Sequence, residues 1–308
     1  MNPALAPDGA SALLERIRKA VSEVVIGRPV VVDRALTCLA AGGHLLIEDV
    51  PGVGKTTLAA SLAHAVGAGF RRIQFTSDLL PGDVLGMRLP EPGTHQFKFH
   101  PGPVFAHVVL ADELNRTSPR TQSAFLEAME EGKVTIDGET HDLPSPFWVV
   151  ATQNPHDAQG AYGLPDSQLD RFLIRTSVGY PDREQERVLL RRESSRSVLP
   201  QPVACPDDLR SLQMAVSRVA LVAKLEDRIL DLVQRTRQDP RFIRGVSPRG
   251  AQSFARALRA YALVRGRDFV IPEDVFELAG PVLSHRVLVR GETREGSLRV
   301  IQALVEAG

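Results

Sequence analysis

The stretch Leu45-Leu46-Ile47-Glu48-Asp49-Val50-Pro51-Gly52-Val53-Gly54-Lys55-Thr56-Thr57 constrains this chain more than any other. An apolar run suited to a buried strand leads into a glycine-bearing turn. Lys-Thr then opens a segment whose Leu58, Leu62 and Val66 recur at helical spacing. Strand, turn and helix in that order make a phosphate-binding loop. Gly52 and Gly54 remove side chains, so successive backbone N–H groups can face phosphate oxygens at the positive end of the helix. Lys55 is placed to reach the β- and γ-phosphates of a nucleotide, and the Thr56 hydroxyl to ligate Mg²⁺. Asp49, Val50, Pro51, Gly52, Val53, Gly54, Lys55, Thr56 and Thr57 are the expected nucleotide-binding residues. Asp49 occupies the position where the strict pattern has its first glycine. Because Asp tolerates left-handed backbone better than most residues, the turn is expected to survive the exchange.

A chain of 308 residues is long enough for about two domains and a substantial core. Its hydrophobic share of 43% and charged share of 24% are ordinary for a soluble globular protein. The 37 basic residues balance the 37 acidic ones, so no net field attracts nucleic acid or an anionic membrane. Cys38 and Cys205 are far apart and form no metal or disulfide pattern, and the eight histidines are scattered. No run of about 18 apolar residues and no secretory leader pattern occur, which gives a cytoplasmic expectation.

Residues 1–10 carry two prolines and a glycine and are expected to fray. From Ser11, the residues Leu14, Ile17, Val21 and Val24 predict an amphipathic helix, and Pro29 to Leu39 a second one. Strands are predicted over 44–49, 71–75, 107–111, 147–151 and 172–176. Separated by helices, they imply an α/β fold with a doubly wound parallel five-stranded sheet. The turn-rich residues 76–105 are too long for a plain connector. Val134, Ile136 and Asp137-Gly138 read as a hairpin with a tight turn.

The run His107 to Ala111 delivers Asp112 and Glu113 to the carboxyl edge of that sheet. Asp112 is positioned to hold the hydration shell of Mg²⁺, and Glu113 to polarise the water that attacks the γ-phosphate. Asn154 follows another apolar strand and either orients that water or simply opens a turn before Pro155. Past Tyr180-Pro181-Asp182 no convincing strand is predicted. Amphipathic helices are expected near 183–193, 206–215, 224–238, 248–265, 272–284 and 295–306, with Arg249 at a helix start after Ser247-Pro248. The expected division is 1–182 for the N-terminal helices and α/β core, 183–202 for a linker and 203–308 for a helical lid.

With the phosphate loop, Ala111-Asp112-Glu113-Leu114-Asn115-Arg116, Ala151-Thr152-Gln153-Asn154-Pro155, Leu164 to Phe172 and Ser247-Pro248-Arg249 in order, the chain resembles the AAA+ ATPases and specifically the MoxR family. The resemblance runs from about Val25 to His285. It implies that Lys55 and Thr56 belong to Walker A, Asp112 and Glu113 to Walker B, that Asn154 is sensor 1 and that Arg249 is the sensor 2 arginine of the lid. It also makes Arg171 an arginine finger reaching the nucleotide of a neighbouring subunit. Residues 83–105 become a helix-2 insertion, and residues 132–147 a pre-sensor hairpin. A permanently charged guanidinium suits such a finger, worth roughly 10³–10⁵ in rate. Arg171 paired with Asp170 is the plainer reading, and Arg116, Arg120 and Arg175 are rivals.

The resemblance implies ATP and Mg²⁺ as cofactors. It also implies a homo-oligomer, expected as a hexameric ring, that remodels a protein client in a chaperone-like way, with a von Willebrand factor A-type partner. A nucleic-acid motor is the alternative, weakened by the neutral charge and by only five lysines. A non-hydrolysing nucleotide switch is opposed by the Asp112-Glu113 pair, and a small-molecule kinase by the absence of an acceptor signature.

Overall fold

Pro7 opens the first helix, α1 (Pro7–Ser22), four residues earlier than the apolar spacing predicts. Proline suits the first helical turn, and Ala10 is fully buried, so this part of the expected frayed start is packed instead. The computed structural model describes residues 5–92, 96–154, 162–191 and 199–307. Helix α2 (Pro29–Ala40) follows, then strand β1 (His44–Glu48), helix α3 (Lys55–Ala65) and strand β2 (Phe70–Gln74). A short helix α4 (Pro81–Leu85) leads into the hairpin β3 (Gly86–Pro90) and β4 (Phe97–Pro101), which lies within the expected insertion. Strand β5 (Val108–Asp112) carries the acidic pair, and helix α5 (Pro119–Glu131) comes next.

The second hairpin joins β6 (Lys133–Ile136) to β7 (Glu139–Asp142), turning on Asp137 and Gly138, both with positive φ. That geometry is the tight primed turn that matches strand twist. The two hairpins touch: Phe99 stacks on His141 with centroids 4.0 Å apart, and Arg88 pairs with Glu139 at 3.0 Å. Strand β8 (Trp148–Gln153), the short helix α6 (Asp166–Leu169) and strand β9 (Phe172–Thr176) complete the core.

The five parallel strands lie in the order β2-β5-β8-β1-β9. Alternate residues enter opposite cores. Leu45 and Ile47, Val108 and Leu110, and Trp148 and Val150 face one side. Leu46, Val109, Ala111, Val149 and Ala151 face the other, where Phe75, Phe125 and Phe172 pack.

Beyond the core come α7 (Arg183–Arg191), α8 (Pro206–Val216), α9 (Ala223–Gln238), a strand β10 (Phe242–Arg244), α10 (Pro248–Val264), α11 (Pro272–Leu283), a strand β11 (Leu288–Val289) and α12 (Arg294–Glu306). The antiparallel pair β10–β11 corrects the expectation of a purely helical C-terminal part. Each strand is too short to leave an apolar run in sequence. The helices α8 to α12 share one hydrophobic core with α1 and α2.

Buried Arg286 fastens this part to the amino end of β9. It donates to Asp170 Oδ1 at 2.8 Å, to Phe172 O at 2.7 Å and to Leu173 O at 3.2 Å. Among the described residues no helix is long and apolar enough to cross a membrane.

Candidate functional site

The phosphate loop is built by backbone geometry. Gly54, with φ of +98°, caps α3, and Gly52 has φ of +86°; the space a side chain would fill is open at both. Lys55 begins the helix, and its Nζ donates to Asp49 O at 2.9 Å. Burial lowers the Lys55 pKa, against the attraction of Asp112, Asp49 and Glu113.

Asp49 does something other than tolerate a strained turn. Among the described residues the only non-glycine positions with positive φ are Glu113 and Asp137, so Asp49 does not use left-handed backbone. Its carboxylate is instead a fastener. Oδ1 accepts from Val50 N at 2.8 Å, while Oδ2 accepts from Ser177 Oγ at 2.9 Å, Val178 N at 2.7 Å and Gly179 N at 2.6 Å. Burial works to raise its pKa, but these donors prevail and hold it below the usual carboxylate value. The first turn of the loop is thereby tied to the segment that leaves β9.

The acidic pair stands at the carboxyl end of β5, an interior strand. Thr152 links both residues: its hydroxyl donates to Asp112 Oδ1 at 2.6 Å and accepts from Glu113 N at 2.9 Å. Asp112 Oδ2 accepts from Arg72 Nη2 at 2.6 Å. Glu113 sits in the left-handed region with φ of +56°, an unfavourable backbone for a residue with a side chain. Its Oε2 accepts from Gln74 Nε2 at 2.8 Å and lies 3.1 Å from Arg116 Nε. Asn154 is the residue after β8, at the same sheet edge.

The other two expected residues lie at the opposite edge. Glu130, in the last turn of α5, binds Arg171 Nε at 2.9 Å and Arg249 Nη2 at 2.6 Å. Its neighbour Met129 contacts His44 Nε2 through its carbonyl at 3.0 Å, which fixes this cluster at the amino end of β1. The length of β1, about 13 Å at strand rise, separates it from the loop. Arg171 is therefore not paired with Asp170, whose partner is Arg286. Arg175 is turned onto Glu48 at 2.5 Å, beside the phosphate loop.

Walker A backbone, an open cradle above two positive-φ glycines, Lys55 and an acidic pair of buried Asp112 and half-buried Glu113 together fit a nucleoside triphosphate. The exposed Thr56 hydroxyl and Asp112 are the oxygen donors available to a hard divalent ion.

Comparison with known proteins agrees with this geometry. The profile of the ATPase family associated with various cellular activities (AAA) matches residues 44–174, and that of the AAA lid domain matches residues 234–306. Chaperone MoxR1 of Mycobacterium tuberculosis is 40% identical over 92% of this chain and 79% of its own length. The chain belongs to the MoxR group of AAA ATPases. An uncharacterised Bacillus subtilis relative of this MoxR-type ATPase, YeaC, is 46% identical over 92% of this chain and 89% of its own length. The crystal structure of a candidate ATPase from Cytophaga hutchinsonii superposes with a TM-score of 0.87 at 33% identity, covering 96% of this chain and 94% of that one. As a member of the MoxR group, the protein hydrolyses ATP.

Several residues of this MoxR-type site escape sequence reasoning. Arg72, Gln74, Thr152, Glu130 and the Ser177–Gly179 segment reach the expected residues only through tertiary pairing. The one available signal was the alternation of β2, which puts Arg72 and Gln74 on a common face.

Proposed function

We propose that this MoxR-type ATPase works as a homo-oligomer, a ring expected to be hexameric, that spends ATP on remodelling a protein client. The name of its relative Chaperone MoxR1 supports a chaperone-like role. A von Willebrand factor A-type protein is the partner that the family resemblance suggests.

The observation that carries the oligomeric reading is the placement of Arg171 and Arg249. Both are held by Glu130 at the edge of the sheet away from Lys55. In this arrangement both guanidinium groups lie at the sheet edge opposite the phosphate loop of their own chain. A second copy, presenting its loop to that edge, meets both at once. This differs from a lid that closes Arg249 over the nucleotide of its own chain, and it gives both arginines to the neighbouring subunit.

Within one site the division of labour follows from position. Lys55 leaves Asp49 O and neutralises β- and γ-phosphate charge, while the N–H groups of residues 50–55 cradle the chain of phosphates. Thr56 and Asp112 are the residues that would hold Mg²⁺, which when bound supplies divalent charge beside the phosphoryl group being transferred. Glu113 orients the attacking water and takes its proton on the carboxylate. Asn154, at the same edge, orients that water from β8.

Mixing two inactive variants tests the shared site. Lys55→Ala retains its arginines and Arg171→Ala retains its phosphate loop, so a mixture should hydrolyse ATP although neither does alone. A mixture as inactive as its components, under conditions where both enter the same oligomer, would show that Arg171 does not act across an interface.

A further inference from the structure

A cavity of about 320 Å³ lies behind the phosphate loop, between the carboxyl ends of β1 and β9, helix α2 and the pair α11–α12. Asp49 and Val50 form part of its wall, yet Lys55, Thr56, Asp112 and Glu113 do not line it. Its polar groups are mostly spent. Glu48 is taken by Arg175, with further contacts from Gln153 and Arg294, and Asp49 by its four donors.

Two are not spent. Arg34 makes a single hydrogen bond, to Thr176 Oγ1 at 3.0 Å, and among the described residues it has no carboxylate partner. A half-buried guanidinium carries five donors, so most of this one's capacity is unfilled, and burial lowers its pKa against the opposing pull of Tyr261 and Glu277. Ser284, only 1% exposed, lines the same cavity, and its hydroxyl has no partner among the described residues. A buried, unsatisfied hydroxyl costs free energy that a ligand can recover. Pro281 and Leu298 supply an apolar wall beside these groups.

We propose that this cavity is a binding site for a small organic oxyanion, carrying a phosphate or a carboxylate, whose charged head meets Arg34 and the Ser284 hydroxyl while its body rests on Pro281 and Leu298. The occupant bridges the α/β core and the helices that follow it. It also shares Asp49 and Ser177 as a wall with the phosphate loop, so binding here is coupled to nucleotide binding without competing for the same atoms.

Calorimetric titration of the full chain with phenyl phosphate and with benzoate tests the assignment and separates the two head groups. At least one probe should bind the parent, and bind Lys55→Ala within about twofold, because Lys55 is not part of this cavity. Arg34→Met should weaken that binding at least ~10-fold, the loss of a charge-assisted contact. Ser284→Ala removes an unpartnered hydroxyl without disturbing packing, and should weaken binding severalfold in a chain that folds normally. The proposal is overturned if neither probe binds up to ~10 mM. It is equally overturned if binding disappears in Lys55→Ala, or if it survives both Arg34→Met and Ser284→Ala unchanged.

Discussion

Gln74 Nε2 donates to Glu113 Oε2 across 2.8 Å, from the last residue of β2 to the residue that follows β5. The oxygen that, in the proposed role, receives a proton from water is thus already an acceptor, and Arg116 lies 3.1 Å from it. Catalysis requires its release. Gln74→Ala should raise basal ATP turnover about 5-fold, the equivalent of one net hydrogen bond of ~1 kcal/mol, and leave ATP affinity unchanged. Steady-state phosphate release is the measurement. A fall in turnover would mean that Gln74 positions Glu113 and does not restrain it.

If Asp112 holds the metal ion as proposed, Arg72 competes with that ion for it. Its Nη2 lies 2.6 Å from Oδ2, and the arginine is half exposed, so the pair is worth at most ~1 kcal/mol. Arg72→Gln should lower the magnesium concentration for half-maximal hydrolysis by a few fold. A magnesium titration of ATPase activity decides it, and an increase in that concentration would assign Arg72 to holding the carboxylate in place.

Restoring the glycine of the strict phosphate-loop pattern should harm this protein. Asp49→Gly removes four hydrogen bonds and adds backbone entropy to the unfolded chain, at a position where positive φ is not needed. Urea denaturation should report a loss of about 2 kcal/mol. Unchanged stability would mean that the Ser177–Gly179 segment is held from elsewhere.

Partly buried His44 gives stability a pH dependence in the mildly acidic range. Burial lowers its pKa to about 4, while Nδ1 accepts from Val149 N at 3.1 Å and Nε2 faces Met129 O. Between about pH 6.5 and pH 4 the unfolded chain binds a proton here that the folded chain refuses. Stability is therefore full above that window and falls as pH drops through it, by on the order of 3 kcal/mol for this ring. His285, also lowered by burial, acts with the same sign. His44→Gln should shrink the difference in urea midpoint between pH 7.5 and pH 5; an undiminished difference would exclude His44 as its source.

Arg286 is the buried charge whose removal should cost most. Burial lowers its pKa to about 10 against the pull of Asp170, and it serves four backbone carbonyls as well as that carboxylate. Arg286→Met strands Asp170 and should destabilise the chain by about 3–5 kcal/mol in denaturant titration. A cost below ~1 kcal/mol would show that water takes over the abandoned groups.

The five core strands were legible because each is a continuous apolar run closed by a turn, and a strand buried on both faces needs nothing more. The phosphate loop and the acidic pair were legible for a related reason, since their chemistry is local in sequence. Strands β10 and β11 were not, because three and two residues leave no period to detect. Thr152 stood in a quoted run without a role, and its importance comes only from the pairing of β5 with β8. Likewise, a sequence shows an aspartate in the place of a glycine; the partner segment 128 to 130 positions away, which explains it, belongs to the folded chain.

The grip of His285 and Arg286 on Phe172 and Leu173 has a consequence for colloidal behaviour. Strand β9 ends the sheet, and an uncovered terminal strand is a template for pairing with another chain. Any motion that lifts the C-terminal helices off the core bares that template while the rest of the sheet stays folded. Species with the helices detached would be the ones prone to precipitate, and loss of solubility on weakening this contact would precede global unfolding.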